Sequence, residues 1–160
     1  MSQRTRKILR ILAWIAFFAY LVCLAYFLFF AEMLGRSPAG VDYAARSYHI
    51  NPVPFKEISR FWKYREQLGA KAVLLNLLGN VVAFIPYGML LPLLWRRQRH
   101  FYRVLLLSFD FSLFIEVTQL ITKVGCFDVD DLILNTLGGV IGYGCFKLLM
   151  FLKKKRTEKP

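Results

Sequence analysis

Four apolar runs, each about the length that crosses a bilayer as a helix, leave this chain of 160 residues few folds to choose from. A hydrocarbon core of roughly 30 Å needs about 20 helical residues. The runs at 8–30, 73–95, 104–121 and 132–152 meet or approach that length. Hydrocarbon offers no partner to a free backbone N–H or C=O, so each crossing must be helical. With 57% of its residues apolar, the chain is not expected to be a water-soluble globule. The first run is longer than the apolar part of a signal peptide and lacks a small-residue cleavage site, so it reads as an uncleaved helix.

The charges sort by side. The N-terminal tail carries Arg4, Arg6, Lys7 and Arg10; the link between the second and third runs carries Arg96, Arg97, Arg99 and Arg103; the C-terminal tail carries Lys153, Lys154, Lys155, Arg156 and Lys159. These cations face only one acid, Glu158, whereas the link between the third and fourth runs has Lys123 with Asp128, Asp130 and Asp131. Cations stay on the cytoplasmic side, which places both termini and the 96–103 link inside and the 122–131 link outside. The net charge of +12 is thereby explained by topology and anionic lipid. Without a phosphate loop, an RNA-binding signature or zinc spacing, no nucleic-acid partner is expected. Three cysteines, Cys23, Cys126 and Cys145, form no disulfide ladder and no Cys-x-x-Cys pair.

The 31–70 segment should then be an outer loop. Its latter part, NPVPFKEISRFWKYREQLG, sets Phe55, Ile58, Phe61 and Trp62 on one side and Lys56, Lys63, Arg65 and Glu66 elsewhere. Pro52 and Pro54 punctuate its start. The pattern predicts a short amphipathic helix in the outer headgroup layer; a loop folded on the bundle away from lipid is the alternative.

Polar residues inside the runs fall at one depth. At about 1.5 Å per residue, Asn80, Glu116 and Asn135 lie roughly 10, 8 and 6 Å below the outer ends of their helices. On the third run Ser108, Ser112, Glu116, Gln119 and Lys123 follow helical steps on a single stripe, as do Asp128, Asp131, Asn135, Gly138 and Gly142 on the fourth. Asn76 and Asn80 are four apart on the second. A carboxylate in hydrocarbon needs partners or water, so the stripes are expected to face one another around an outward polar pocket. Pro86 should bend the second helix and free the Val82 carbonyl, or else serve packing. Gly138 and Gly142 form a small-x-x-x-small pair, with Gly139 and Gly144 beside them, suited to close helix contact. Asp110 and Lys147 sit at similar depths near the inner ends and are expected to pair within the bundle, unless Lys147 reaches down to the inner headgroups.

These residues resemble the bacterial VanZ-like family, membrane proteins named for an accessory factor in teicoplanin resistance. NVVAFIPYG matches N-x-x-x-F-x-P-x-G through Asn80, Phe84, Pro86 and Gly88, and IEVTQ matches E-x-x-Q through Glu116 and Gln119. FDVDDLILNTLGGVIG matches D-x-x-D-x-x-x-N-T-x-G-G through Asp128, Asp131, Asn135, Thr136, Gly138 and Gly139. The likeness begins at the N-x-x-P-F stretch of Asn51, Pro54 and Phe55 and covers about three-quarters of the chain. Where many members carry an arginine before the first aspartate, this chain has Gly125, Cys126 and Phe127.

The resemblance implies a multi-pass protein of the bacterial plasma membrane, linked to reduced susceptibility to teicoplanin-type glycopeptides. Its mechanism stays open among three readings. In the first, Asn80, Glu116, Gln119, Asp128, Asp131 and Asn135 bind an envelope component such as a lipid-linked wall precursor, or alter glycopeptide binding at the surface, with Lys123 meeting a phosphate at the rim. In the second, Glu116, Asp128 and Asp131 hold a divalent cation for an enzyme acting on a lipid-linked precursor, with Glu116 as general base. No nucleophile stands out, and His49 and His100 lie on opposite sides. In the third, the same groups are interhelical glue and helix caps, in a structural or partner-binding protein. No resident cofactor is expected under the first and third readings. The expected fold is one all-α domain over 1–160, a four-transmembrane-helix bundle with cytoplasmic termini and an extracellular amphipathic interfacial helix.

Overall fold

A computed structural model describes residues 3–30, 50–68, 70–122 and 127–157. The first part of the expected outer loop, 31–49 with His49, and the link residues Lys123, Gly125 and Cys126 lie outside the described residues, as does the side chain of Asn76.

Four long helices account for the apolar runs. They are α1 (Gln3–Phe30), α4 (Ala70–Leu94), α5 (Phe101–Thr122) and α6 (Val129–Thr157), and each contains a stretch long and apolar enough to cross a membrane. Helices α1 and α6 extend several residues past the expected limits, into their basic ends. A helix does not stop where hydrocarbon stops, because lysine and arginine stems lie along the apolar surface while their heads reach the headgroups. Two short helices, α2 (Lys56–Lys63) and α3 (Arg65–Leu68), precede α4, and a 3-10 turn, Arg96–Gln98, joins α4 to α5.

Helix α6 packs on α4 and α5, while α1 lies against α4. The α4–α6 seam is made of glycines. A Cβ at Gly88 would overlap the Gly139 carbonyl, one at Gly138 the Val81 carbonyl, and one at Gly142 the Ile85 carbonyl. Gly139 approaches α5 instead, where a Cβ would strike the Ser108 hydroxyl. Small residues let backbones approach closely where no hydrophobic effect drives helices together. Gly144 corrects the sequence reading, since it faces open space and contributes nothing to the contact.

Aromatic rings fill the joint between α1, α4 and α5. Phe84 is wholly buried and meets Tyr87 and Phe111, with Tyr87 stacked on Phe111 at 4.7 Å between ring centres. Trp14 and Phe17 of α1 meet Trp95 edge-on at 4.6 and 5.7 Å. Helix α4 runs through Pro86 and Pro92 without a break. The Tyr20 hydroxyl donates to the Ala83 carbonyl at 2.8 Å, beside the carbonyl of Val82 that Pro86 leaves without its N–H.

The outward faces are apolar. Ile15, Phe18 and Val22 of α1, Val82 of α4, Phe114 and Ile121 of α5, and Leu148 and Phe151 of α6 are all exposed. So continuous an apolar exterior suits hydrocarbon rather than water. Asp110 and Lys147 also lie on exposed faces, and no ion pair joins them among the described residues, so the expected buried pair does not form. Asp110 is two residues from both Ser108 and Ser112, about 200° round the helix from the buried stripe. Lys147 instead sets its ammonium 5.8 Å from the Tyr143 ring centre.

Arg10 of α1 shares a cavity with Arg96, Arg97 and Arg99, and the Arg99 guanidinium sits over the Phe146 ring of α6. The start of α1, the 3-10 turn and the last part of α6 therefore share one end of the bundle, the arginine end. At the opposite, acidic end, β1 (Ile50–Asn51) pairs in parallel with β2 (Phe127–Asp128), Ile50 opposite Phe127 and Asn51 opposite Asp128.

Candidate functional site

The acidic end gathers side chains from α4, α5 and α6. Asn80 is 4% exposed, Glu116 2% and Asn135 1%. The Asn80 amide donates to an Asp131 carboxylate oxygen, linking α4 to α6. The Asn135 amide donates to the Ser112 hydroxyl at 2.9 Å, linking α6 to α5. Glu116 accepts the backbone N–H of Asp128 at 3.0 Å, fixing the start of α6 to α5, and it lies within electrostatic range of Asp131 and Asp128. Helical spacing explains the convergence, because Ser108, Ser112 and Glu116 lie on one face of α5 and all three are buried. Gln119, one step further on that face, is half-buried.

Above this level the outer segment is tied down. The Asn51 amide donates to the Asp128 carboxylate at 3.2 Å, and the same oxygen accepts the Asp130 N–H at 2.8 Å. The Asp130 side chain, 1% exposed, turns away from its own helix. One of its oxygens accepts the Phe55 N–H; the other accepts the N–H groups of Glu57 at 2.8 Å and Ile58 at 3.1 Å. Asp130 thus supplies the N-terminal cap that α2 lacks in its own sequence, where the cap position is Phe55 in the left-handed region at φ 63°. A carboxylate here also meets the positive end of the α2 dipole. An Arg60–Glu57 ion pair at 2.6 Å holds the first turn of α2. Its apolar side divides, with Ile58 and Phe61 half-buried and Phe55 and Trp62 exposed.

Burial pushes the Asp128 carboxyl above its ordinary range, with the Asp130 N–H and the Asn51 amide working the other way. Burial likewise raises Glu57, against the pull of Arg60.

Several buried polar atoms in this region find no hydrogen-bond partner among the described residues: Ser108 Oγ, Asn135 Oδ1, Thr136 Oγ1 and Asn51 Oδ1. Buried polar groups are nearly always satisfied, so unpaired ones call for a reason. Glu116, Asp128 and Asp131 belong instead to hydrogen bonds within the protein, and among the described residues no three His, Cys, Asp or Glu side chains come together as a metal-binding group. The groups gathered here are carboxylate acceptors and amides that both donate and accept, a set complementary to hydroxyl and amide groups rather than to anions.

Sequence reasoning missed Asp130, whose partners lie more than seventy residues away. The only local signal was an acid beside a helix start, which reads equally well as a cap for α6.

The fold and this cluster define a small helical membrane protein whose acidic end is knitted from buried carboxylates and amides. The VanZ/LLP1 family model matches residues 17–151, and the chain belongs to that family. Protein VanZ of Enterococcus faecium is 36% identical over 76 residues, 46% of this chain and 45% of that relative, so the likeness spans about half the length of each. No solved structure matches the chain.

Proposed function

We propose that the polar cluster at the acidic end is the working part of the molecule, and that it faces the outside of the bacterial plasma membrane with both termini cytoplasmic. There it holds a polar envelope component, of which the headgroup of a lipid-linked wall precursor fits the chemistry best, or changes the surface to which a teicoplanin-type glycopeptide binds. Membership of the VanZ/LLP1 family suggests a membrane protein related to glycopeptide resistance. The orientation is supported by the cations of both tails and of the 96–103 link at one end. On this reading α2 lies in the outer headgroup layer, with Phe55 and Trp62 turned to lipid and Asp130 anchoring it to the bundle.

The observation that carries the proposal is the set of buried atoms without a hydrogen-bond partner among the described residues, Asn135 Oδ1, Thr136 Oγ1 and Asn51 Oδ1, the last on the amide that donates to Asp128. Leaving a buried polar atom unmet costs roughly 1–3 kcal/mol. Interhelical glue alone would satisfy these atoms across the seam; a site that takes a hydroxyl- or amide-bearing ligand keeps them available. Cation-dependent catalysis gains no support from the way the carboxylates are arranged.

The test is expression of the intact protein and of Glu116→Gln in a susceptible Gram-positive host, scoring teicoplanin sensitivity. Glutamine keeps a carbonyl oxygen for the Asp128 N–H, so the contact that fixes α6 survives. The intact protein should raise tolerance, and the variant should lose that gain at equal membrane abundance. A gain kept by the variant would remove the cluster from the mechanism.

A further inference from the structure

The opposite end of the bundle carries a second feature that the outer cluster does not use. A cavity of about 820 Å³ opens there, lined by Arg10, Arg96, Arg97 and Arg99 and by apolar side chains including Ala13, Leu94 and Trp95. Among the described residues no carboxylate lines it. Its volume falls within the roughly 300–1,000 Å³ of small-molecule sites.

We propose that this cavity holds the headgroup of an anionic phospholipid, its phosphate among the arginines and the upper part of an acyl chain along the Ala13–Trp95 wall. Three observations favour this occupant. Four cations line the cavity with no acid beside them among the described residues, and an anion relieves the repulsion between them. One guanidinium is already placed, since Arg99 donates through Nε to the Pro92 carbonyl at 3.2 Å and lies over the Phe146 ring, leaving its other N–H groups for a phosphate. The apolar wall is fixed, because Trp95 is held edge-on by Trp14 and Phe17. A site that combines four arginines with a packed indole and aliphatic side chains fits an amphiphile better than a free ion. Basic pockets between helices at a membrane face are where anionic headgroups bind.

The experiment places the full chain in nanodiscs of equal phosphatidylglycerol and phosphatidylcholine and reads the lipid that stays bound by native mass spectrometry. Wild type should retain phosphatidylglycerol in preference. The triple variant Arg10→Gln, Arg96→Gln, Arg97→Gln removes exposed side chains and spares the packed Arg99. At roughly fivefold per cation near an anionic surface it should weaken retention about a hundredfold. Ala13→Phe fills the wall, keeps all four arginines, and should abolish the preference as well. Lys153→Gln, Lys154→Gln, Lys155→Gln removes equal charge outside the cavity and should keep it. Loss of preference in the lysine variant to the same degree, or its survival in Ala13→Phe, would overturn the site. Inorganic phosphate at millimolar concentration that displaces phosphatidylglycerol from wild type would overturn the lipid assignment in favour of a free anion.

Discussion

Replacing Asp130 by alanine should release the outer helix from the bundle without melting the bundle. The carboxylate accepts three backbone N–H groups at the start of α2, and nothing within α2 replaces it, because the cap position is Phe55. A lost N-terminal cap alone costs roughly 0.5–2 kcal/mol. Three hydrogen bonds to a charged group, at about 1.5–3 kcal/mol each, set an upper bound several times larger. Phe55 is exposed and Glu57 and Ile58 are only half-buried, so the freed amides can turn to water, which keeps the loss well below that bound. An expected loss of about 2–4 kcal/mol corresponds to opening roughly 30 to 1,000 times more frequent. Amide hydrogen exchange over 56–63 in the reconstituted protein reads that opening directly. Exchange there should accelerate by that factor while the middle of α5 and of α6 changes little. Unchanged exchange over 56–63, or an equal acceleration throughout α5 and α6, would refute the capping role.

Other expectations follow from the same contacts. Gly88→Ala drives a Cβ into the Gly139 carbonyl and should destabilise the fold by about 1–3 kcal/mol or more, whereas Gly144→Ala should stay within about 0.5 kcal/mol, as thermal unfolding in detergent would show. Asp128→Asn keeps the oxygen that accepts both the Asn51 amide and the Asp130 N–H, and removes a charge that burial disfavours. The folded pKa of Asp128 lies above its ordinary 3.8, so its stability contribution is whole below that value and is lost as pH rises through the raised one. The variant should therefore be at least as stable as wild type at pH 7 and show a flatter stability profile from about pH 4 upward; a steeper profile would count against the burial account. A double-mutant cycle on Ser112 and Asn135, each changed to alanine, should give a coupling of about 0.6–1.7 kcal/mol, and a value near zero would mean that the hydrogen bond does not join α5 to α6.

The bilayer made most of the fold legible. Length and hydropathy located four helices because hydrocarbon permits almost nothing else, and helical stepping put Ser108, Ser112 and Glu116 on the buried face of α5. Depth counted along each helix brought Asn80, Asn135 and Glu116 to one level, where they now meet Asp131, Ser112 and Asp128. Depth says nothing about direction round the axis, and the pairing of Asp110 with Lys147 failed for that reason. The stepping that placed Ser108 and Ser112 inside already turned Asp110 outward. The contact of Asp130 with α2 was not legible, because it depends on β1 bringing residues 50–58 beside the start of α6. The glycine seam was legible in kind but not residue by residue, since Gly144 and Gly142 differ only by the face they present.

Disulfide trapping tests most directly whether three helices bring their polar groups into one cluster. Cys23, Cys126 and Cys145 would first be changed to serine, and iodine would then oxidise three pairs in native membranes: Asn80→Cys with Asp131→Cys, Ser112→Cys with Asn135→Cys, and Asp110→Cys with Lys147→Cys. The first two pairs, hydrogen-bonded in the structure, should cross-link rapidly within single chains, and the third, on exposed faces, should not. Absence of cross-links in the first two pairs, or equal cross-linking in the third, would contradict the account.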